Sequence, residues 1–165
     1  MLTPNDAIII ASGTTVLAFA RCIPPEAQLT VLTSAMNVAM ALLNCQQVEV
    51  IQLGGIVRHT SSSVTGEYAL RMLENFSGTK LFLGVDGIDL KYGLTTTNFM
   101  EASVNRAMID AAQKIIVLTD SSKFGRRGFG KICELDAVDQ IITDSGVSPK
   151  VVRELEELGI KVSIV

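Results

Sequence analysis

The chain has 165 residues, 48% of them hydrophobic and 19% charged, with a formal net charge of −3. That length and apolar content suit one domain with a real core and exclude a disordered chain. With no Trp and few aromatic residues, even the densest positive cluster (Lys123, Arg126, Arg127 and Lys131) falls short of the basic stacking face that direct nucleic-acid binding needs. Residues 7–11 are an apolar run that reads as a strand, stops at Ser12-Gly13-Thr14-Thr15 and gives way to a helix over 16–21, before Pro24-Pro25. A second strand follows over 29–33, then a Met- and Ala-rich helix over 35–43 with Asn44 as its stop. Residues 48–53 form a third strand ended by Gly54-Gly55, and a polar loop over 59–63 precedes a helix over 67–76. The strand over 80–85 runs into Asp86-Gly87-Ile88-Asp89. The longest helix spans 99–112, with Ala102, Val104, Ala107, Met108 and Ala111 on its apolar side. Residues 114–118 are a strand leading into Thr119-Asp120-Ser121-Ser122-Lys123; a strand over 138–143, a helix over 149–158 and a strand over 160–165 complete the chain. Strands alternating with helices predict an α/β fold, a mainly parallel sheet with helices on both faces.

Small and polar residues gather at the strand ends: Ser12-Gly13-Thr14-Thr15, Thr33-Ser34, Gly54-Gly55, Asp86-Gly87 and Asp120-Ser121-Ser122-Lys123. In open α/β sheets ligands bind beyond the carboxyl ends of the strands, so these ends are expected to build one polar pocket. The first turn either aims backbone N–H groups and hydroxyls at an anion on the positive end of a helix, or is a plain turn in which Ser12 or Thr14 caps that helix. Thr33-Ser34 offers a hydroxyl to the pocket or, as the commoner role, caps the helix beginning at Ala35; Asn37 is placed on the surface. Gly54-Gly55 serves a sharp turn or a close ligand approach. Asp86 ends a buried strand, where an unpaired carboxylate is costly, so it needs a backbone N–H, a ligand hydroxyl or a cation. Asp89 reads as a solvated turn acid. Glu101 either complements a helix dipole or is a pocket acid beside the hydroxyl-rich Thr95-Thr96-Thr97-Asn98. Lys123 is a surface lysine or the positive charge for a phosphate, and Arg58 and His59 either reach an anion or are solvated. Core filling accounts for most of Met36, Met40, Met72, Met100 and Met108.

Cys22, Cys45 and Cys133 are isolated, there is no Cys-x-x-Cys, and His59 is the only histidine. Free thiols in a reducing cytoplasm fit this better than zinc or a disulfide framework, and no metal or other cofactor is expected. Gly, Pro or charged residues interrupt every apolar run before it reaches membrane-spanning length. Residues 1–6 lack the basic start and long apolar stretch of a signal peptide. Gly125 to Gly130 (Gly-Arg-Arg-Gly-Phe-Gly) does not fit the dinucleotide-binding Gly-x-Gly-x-x-Gly.

In their order and spacing, Ser12-Gly13-Thr14-Thr15, Thr33-Ser34, Leu53-Gly54-Gly55, Gly84-Val85-Asp86-Gly87-Ile88, Gly93-Leu94-Thr95, Glu101 and Asp120-Ser121-Ser122-Lys123-Phe124-Gly125 resemble the C-terminal effector-sensing domain of DeoR-family bacterial transcriptional regulators, over essentially the whole chain. The sequence departs from the family pattern at Ala11, where Asp usually precedes Ser-Gly-Thr-Thr, and at Ser34, where Asn usually follows Thr33; these departures bear on sugar preference more than on fold. The resemblance implies a Rossmann-like sensor akin in fold to ribose-5-phosphate isomerase and CoA transferases. It also implies a phosphorylated sugar or related effector, self-association, and a helix-turn-helix domain that reads operator DNA. This chain begins at the first sensor strand, so a truncated regulator is expected. The pocket residues expected on this reading are Ser12, Gly13, Thr14, Thr15, Thr33, Ser34, Gly54, Gly55, Asp86, Gly87, Glu101 and Lys123, with Gly54-Gly55 and Arg58 to Ser63 placed to close over the site. The rival is an aldose–ketose isomerase. Glu101 resembles that enzyme's base and Asp86-Gly87 part of its Asp-Gly-Ala-Asp motif, but its Lys and following glycine run have no counterpart beyond Lys91, which lies earlier.

Overall fold

Seven strands pair in parallel in the order β12-β11-β9-β6-β1-β2-β3, in a computed structural model that describes residues 2–165. Along the chain, β1 (Asp6–Ile10), α1 (Thr14–Arg21), β2 (Leu29–Thr33), α2 (Met36–Leu42) and β3 (Val48–Gln52) build one side of the sheet. A hairpin, β4 (Ile56–Arg58) and β5 (Ser63–Thr65), then leads to α3 (Glu67–Leu73) and to β6 (Lys80–Leu83), which returns to pair with β1. After β7 (Gly87–Asp89), β8 (Gly93–Thr96) and α4 (Phe99–Asp110) come β9 (Ile115–Leu118), β10 (Gly130–Cys133), β11 (Gln140–Thr143), α5 (Pro149–Glu157) and β12 (Lys161–Ile164). The strand order reverses between β1 and β6. A crevice opens at such a switch point, because the connections on its two sides diverge to opposite faces of the sheet.

The strands are buried on both faces, which is why they read as continuous apolar runs rather than alternating ones. Ile8, Ile10 and Phe82 face α1 and α2, packing with Val16, Ala20, Val38 and Leu42. Ile9, Leu81 and Leu83 point the other way, onto Ala69 and Leu73 of α3, Ala102 and Met108 of α4, and the cluster that includes Leu155 of α5. Helices thus cover both faces, as expected. Phe19 stacks on Phe82 with ring centroids 4.2 Å apart. Among the methionines, Met108 is fully buried, but Met40 and Met100 are exposed and fill no core.

Two small antiparallel sheets depart from the sequence reading. The polar loop expected over 59–63 is the tip of the β4–β5 hairpin, with Ser63 already in β5. The stretch after Asp86 carries β7 and β8, which pair with each other and with β10 as a three-stranded sheet. Among the described residues, no helix is long and apolar enough to cross a membrane, and the three cysteines are free.

Candidate functional site

At the switch point lies a crevice of about 390 Å³, within the usual range of small-molecule pockets. One wall is the turn between β1 and α1, Ser12 to Thr15. Gly13 is the N-cap residue of α1, at φ 135°, and no side chain among the described residues caps the helix. The first intrahelical bond runs from the Leu17 N–H to the Gly13 carbonyl at 3.0 Å. The amides of Thr14, Thr15 and Val16 are therefore the open donors of a first helical turn. The plain-turn alternative, with Ser12 or Thr14 as cap, is not what the structure shows. Gly84, just after β6, explains how the facing wall comes so close: a Cβ there would stand 2.8 Å from the Ser12 carbonyl oxygen.

Lys123 enters the crevice from a 3₁₀ turn, Ser121–Lys123, that follows β9. Two acids hold this turn. Asp120 accepts from the Ser122 N–H at 2.9 Å, and Asp144 accepts from the Ser121 and Gly146 N–H groups at 2.6 and 2.8 Å. Hydrogen bonding to Ser122 keeps the Asp120 carboxyl below the ordinary carboxylate range, and the Ser121 and Gly146 amides do the same for Asp144. Asp120 thus works as a cap, while Lys123 is the one cation on the crevice wall among the described residues.

Acidic and amide side chains share the wall with the Ser12 to Thr15 turn and Lys123. Asp86 Oδ2 accepts from Thr96 Oγ1 at 2.8 Å and from the Thr97 N–H at 2.9 Å, so a backbone N–H is one of the donors that its position required. Asn98 caps α4 by accepting from the Met100 and Glu101 N–H groups, so Glu101 starts the helix with its side chain turned inward. Glu101 is buried; Ser63 Oγ donates to Oε1 at 3.3 Å, and Arg58 Nε lies 3.6 Å from Oε2. Asn105, one turn further along α4, is also buried and on the wall. Asn37 is not a surface residue: it lines the crevice, and its buried Oδ1 has no protein donor among the described residues.

The structure therefore brings Ser12, Gly13, Thr14, Thr15, Asp86, Glu101 and Lys123 together around one cavity. It leaves Thr33, Ser34, Gly54, Gly55 and Gly87 off the wall. Thr33 Oγ1 accepts from the Ala35 N–H at 3.0 Å, closing the turn before α2, and both Thr33 and Ser34 are buried. Gly54 and Gly55 form the entrance to β4, and Gly87 sits in β7 opposite Thr95. Ala11 is fully buried too, and neither Ala11 nor Ser34 is on the crevice wall. Arg58 faces Glu101 and His59 is exposed, and neither is on the crevice wall. Of the Arg58 to Ser63 segment expected to close over the site, Thr60, Ser61 and Ser62 are on the wall, whereas sequence reasoning missed Asn37 and Asn105. The four-residue spacing of Glu101 and Asn105 could have revealed the latter, since it puts both on one helical row.

A family model described as the DeoR C terminal sensor domain matches residues 1–145. The chain is 40% identical over 165 residues to a putative aga operon transcriptional repressor of Escherichia coli O157:H7, covering 100% of this chain and 61% of that protein. It is 38% identical over 161 residues to the uncharacterized HTH-type transcriptional regulator YulB of Bacillus subtilis, covering 98% of this chain and 62% of that protein. It spans about three-fifths of the length of these curated relatives. Ribose 5 phosphate isomerase A from Neisseria gonorrhoeae shares the fold with a TM-score of 0.54 at 14% identity, over 76% of this chain and 48% of that one. For eIF2B beta from Chaetomium thermophilum the TM-score is 0.52 at 14% identity, over 85% and 44%. At such identities the likeness speaks to fold alone.

Proposed function

We propose a function from one premise: this chain belongs to the DeoR C-terminal sensor domain family and is the ligand-sensing part of a transcriptional regulator. Its effector is a phosphorylated sugar. The phosphate docks on the open amides of Thr14, Thr15 and Val16, where a helix N-terminus favours negative charge. Lys123 adds a charge-assisted hydrogen bond. The sugar hydroxyls face Asp86, Glu101, Asn37 and Asn105, whose carboxylate and carboxamide oxygens accept from them. One observation carries this reading: an uncapped helix start and a lysine share a crevice with the acceptors of Asp86, Glu101, Asn37 and Asn105.

The domain acts by binding and not by turnover. Isomerisation would need groups that polarise the substrate carbonyl besides the base. Arg58, the cation beside Glu101, is engaged with that acid, and Lys91, which the resemblance sets against the enzyme's lysine, lies in a separate hollow with Asp89 and Arg127. In the whole regulator, a helix-turn-helix segment outside this chain binds operator DNA, effector binding relieves repression, and the protein works in the cytoplasm as a homo-oligomer. The relatives' names, which include a repressor and an HTH-type regulator, support that wider reading.

The test is a thermal-shift screen of phosphorylated sugars, each paired with its dephosphorylated form. Only phosphorylated forms should stabilise the protein, and Lys123→Ala should weaken the best of them about ten- to a hundredfold, the scale of one charge-assisted hydrogen bond. Equal shifts with neutral sugars, or interconversion of aldose and ketose phosphates by the protein, would refute the reading.

A further inference from the structure

The two strands of the β4–β5 hairpin are held very differently. Ser63, Val64 and Thr65 of β5 are buried. The Val64 N–H donates to the Ser34 carbonyl at 2.9 Å, the Ser62 carbonyl accepts from the Met36 N–H at 2.8 Å, and Ser63 bridges Ala35. β5 is thereby fixed to the segment between β2 and α2. Among the described residues the strand partner of β4 is β5 alone, and Ile56 and Val57 are 67% and 42% exposed. From β4 a single charged side chain, Arg58, reaches back to the body of the protein, to Glu101 on α4.

That link is slack. Arg58 Nε stands 3.6 Å from Glu101 Oε2, beyond hydrogen-bond length, and this buried N–H has no hydrogen-bond partner among the described residues. A buried donor left unpaired is a destabilised arrangement. The same guanidinium holds the tip from its other end, through Nη2 donating to Thr60 Oγ1 at 3.1 Å. Thr60, Ser61 and Ser62 are on the crevice wall. Ser62 has a φ of 49°, in the left-handed region that residues other than glycine seldom occupy. An inward movement of about 0.7 Å would bring Nε to Oε2 at charge-assisted hydrogen-bond length.

We propose that the β4–β5 hairpin is a lid on the crevice, and that Arg58 is a positioning residue that ties the lid to Glu101, loosely through the 3.6 Å ion pair without ligand and tightly when a ligand is bound, and so orients this carboxylate. The proposal rests on the phosphorylated-sugar reading of the site. A ligand that touches Thr60, Ser61 or Ser62 draws the tip inward, Arg58 closes on Glu101, and the buried donor is satisfied. Binding thus favours one hairpin position over the other, which is the differential contact that any ligand-driven switch requires.

The first arm of the test uses the protein without ligand. Amide hydrogen exchange over residues 59–62 is compared in the parent, Arg58→Gln, Glu101→Gln and the double variant, with the thermal midpoint and exchange in β1 and β6 as controls. Arg58→Gln should speed tip exchange roughly three- to tenfold without accelerating β1 or β6. The double variant should be no faster than Arg58→Gln, and Arg58→Lys should restore part of the protection. Unchanged tip exchange, additive effects in the double variant, or acceleration spread through the whole sheet would overturn the tether. The second arm adds ribose 5-phosphate or inorganic phosphate. Ribose 5-phosphate should protect the tip in the parent, and Arg58→Gln should weaken it roughly tenfold while leaving inorganic phosphate unchanged. Binding of ribose 5-phosphate with no protection of the tip overturns the lid and leaves the site reading standing. Failure of every phosphorylated sugar to bind overturns the site reading, and the ligand-free cycle still decides the tether.

Discussion

Gly84→Ala is the sharpest probe of the phosphate cradle, because it takes no polar group away from the crevice. The new Cβ would lie 2.8 Å from the Ser12 carbonyl oxygen, 3.7 Å from Gly13 Cα and 3.7 Å from Val16 Cγ1. A carbon meets a carbonyl oxygen comfortably at about 3.3 Å, so the Ser12-Gly13 peptide must retreat by about 0.5 Å. That peptide leads into the first turn of α1, and the open amides of Thr14 and Thr15 move with it. Overpacking of this kind costs about 1–3 kcal/mol of stability, and the open crevice beside the turn puts this case near the lower figure. The cost in binding is larger, because hydrogen bonds to a charged group are each worth about 1.5–3 kcal/mol and need good geometry. Affinity for a phosphorylated sugar should therefore fall about ten- to a hundredfold.

Isothermal titration of Gly84→Ala measures that loss, with Gly159→Ala as the control. Gly159 has a φ of 84° with open space around a Cβ, and it precedes β12, at the end of the sheet away from the crevice. Alanine there costs about 1 kcal/mol in backbone strain and should leave affinity untouched. If Gly84→Ala and Gly159→Ala lose similar stability and both bind the ligand as the parent does, the amides of α1 do not hold the phosphate.

Three further expectations concern the frame around the site. Burial works to raise the Asp6 pKa, but the Lys80 ion pair and hydrogen bonds from Thr3 and Thr79 outweigh it and hold the carboxyl well below its ordinary value. With the folded pKa depressed, the stability Asp6 contributes is complete above about pH 4 and declines as pH falls further; urea titrations from pH 3 to 7 should show a flatter acid limb for Asp6→Asn, with a loss of about 2 kcal/mol at pH 7 from the orphaned Lys80. Burial first, then Asp136 and Glu134, push the Cys133 thiol up to about 12, so mass spectrometry after iodoacetamide at pH 8 should find the exposed Cys22 alkylated long before Cys133. Asn98→Ala removes the side-chain cap of α4 and should lower unfolding stability by about 1 kcal/mol.

The parallel sheet was legible because its strands are buried on both faces. Ile8-Ile9-Ile10 and Leu81-Phe82-Leu83 have no polar side to present, and helix-length segments separate them. The small antiparallel sheets were not, for a matching reason. Gly87–Asp89 and Ile56–Arg58 span three residues each, too few to display a period, and their glycine, charge and exposed apolar positions look like loop. Helix faces caused the remaining misses. On α4 the buried row contains Glu101 and Asn105 beside Ala102, Val104 and Met108. An apolar-side criterion picks out the second set and passes over the first; Glu101 was reached only through the hydroxyl-rich segment before it, and Asn105, which also lines the site, was missed.

Five strand ends carried suitable chemistry, yet the ends that build the crevice are those of β1, β6 and β9, which are neighbours in the sheet. The ends of β2 and β3 are just as polar in sequence. They lie on the far side of β1, where β5 pairs with the Ser34-Ala35 segment and occupies the space above it. Thr33 therefore serves the turn before α2 and Ser34 the hairpin, and the hairpin in turn supplies Thr60, Ser61 and Ser62 to the crevice in their place. Which polar end becomes a site is decided by strand order, which follows from pairing between residues far apart in the chain: Ile9 lies opposite Leu81. Residue chemistry nominates the candidates, and the switch point between β1 and β6 selects among them. A substitution that weakens β1–β6 pairing should thus damage binding more than an equally destabilising one between β2 and β3, since only the former separates the α1 amides from Asp86.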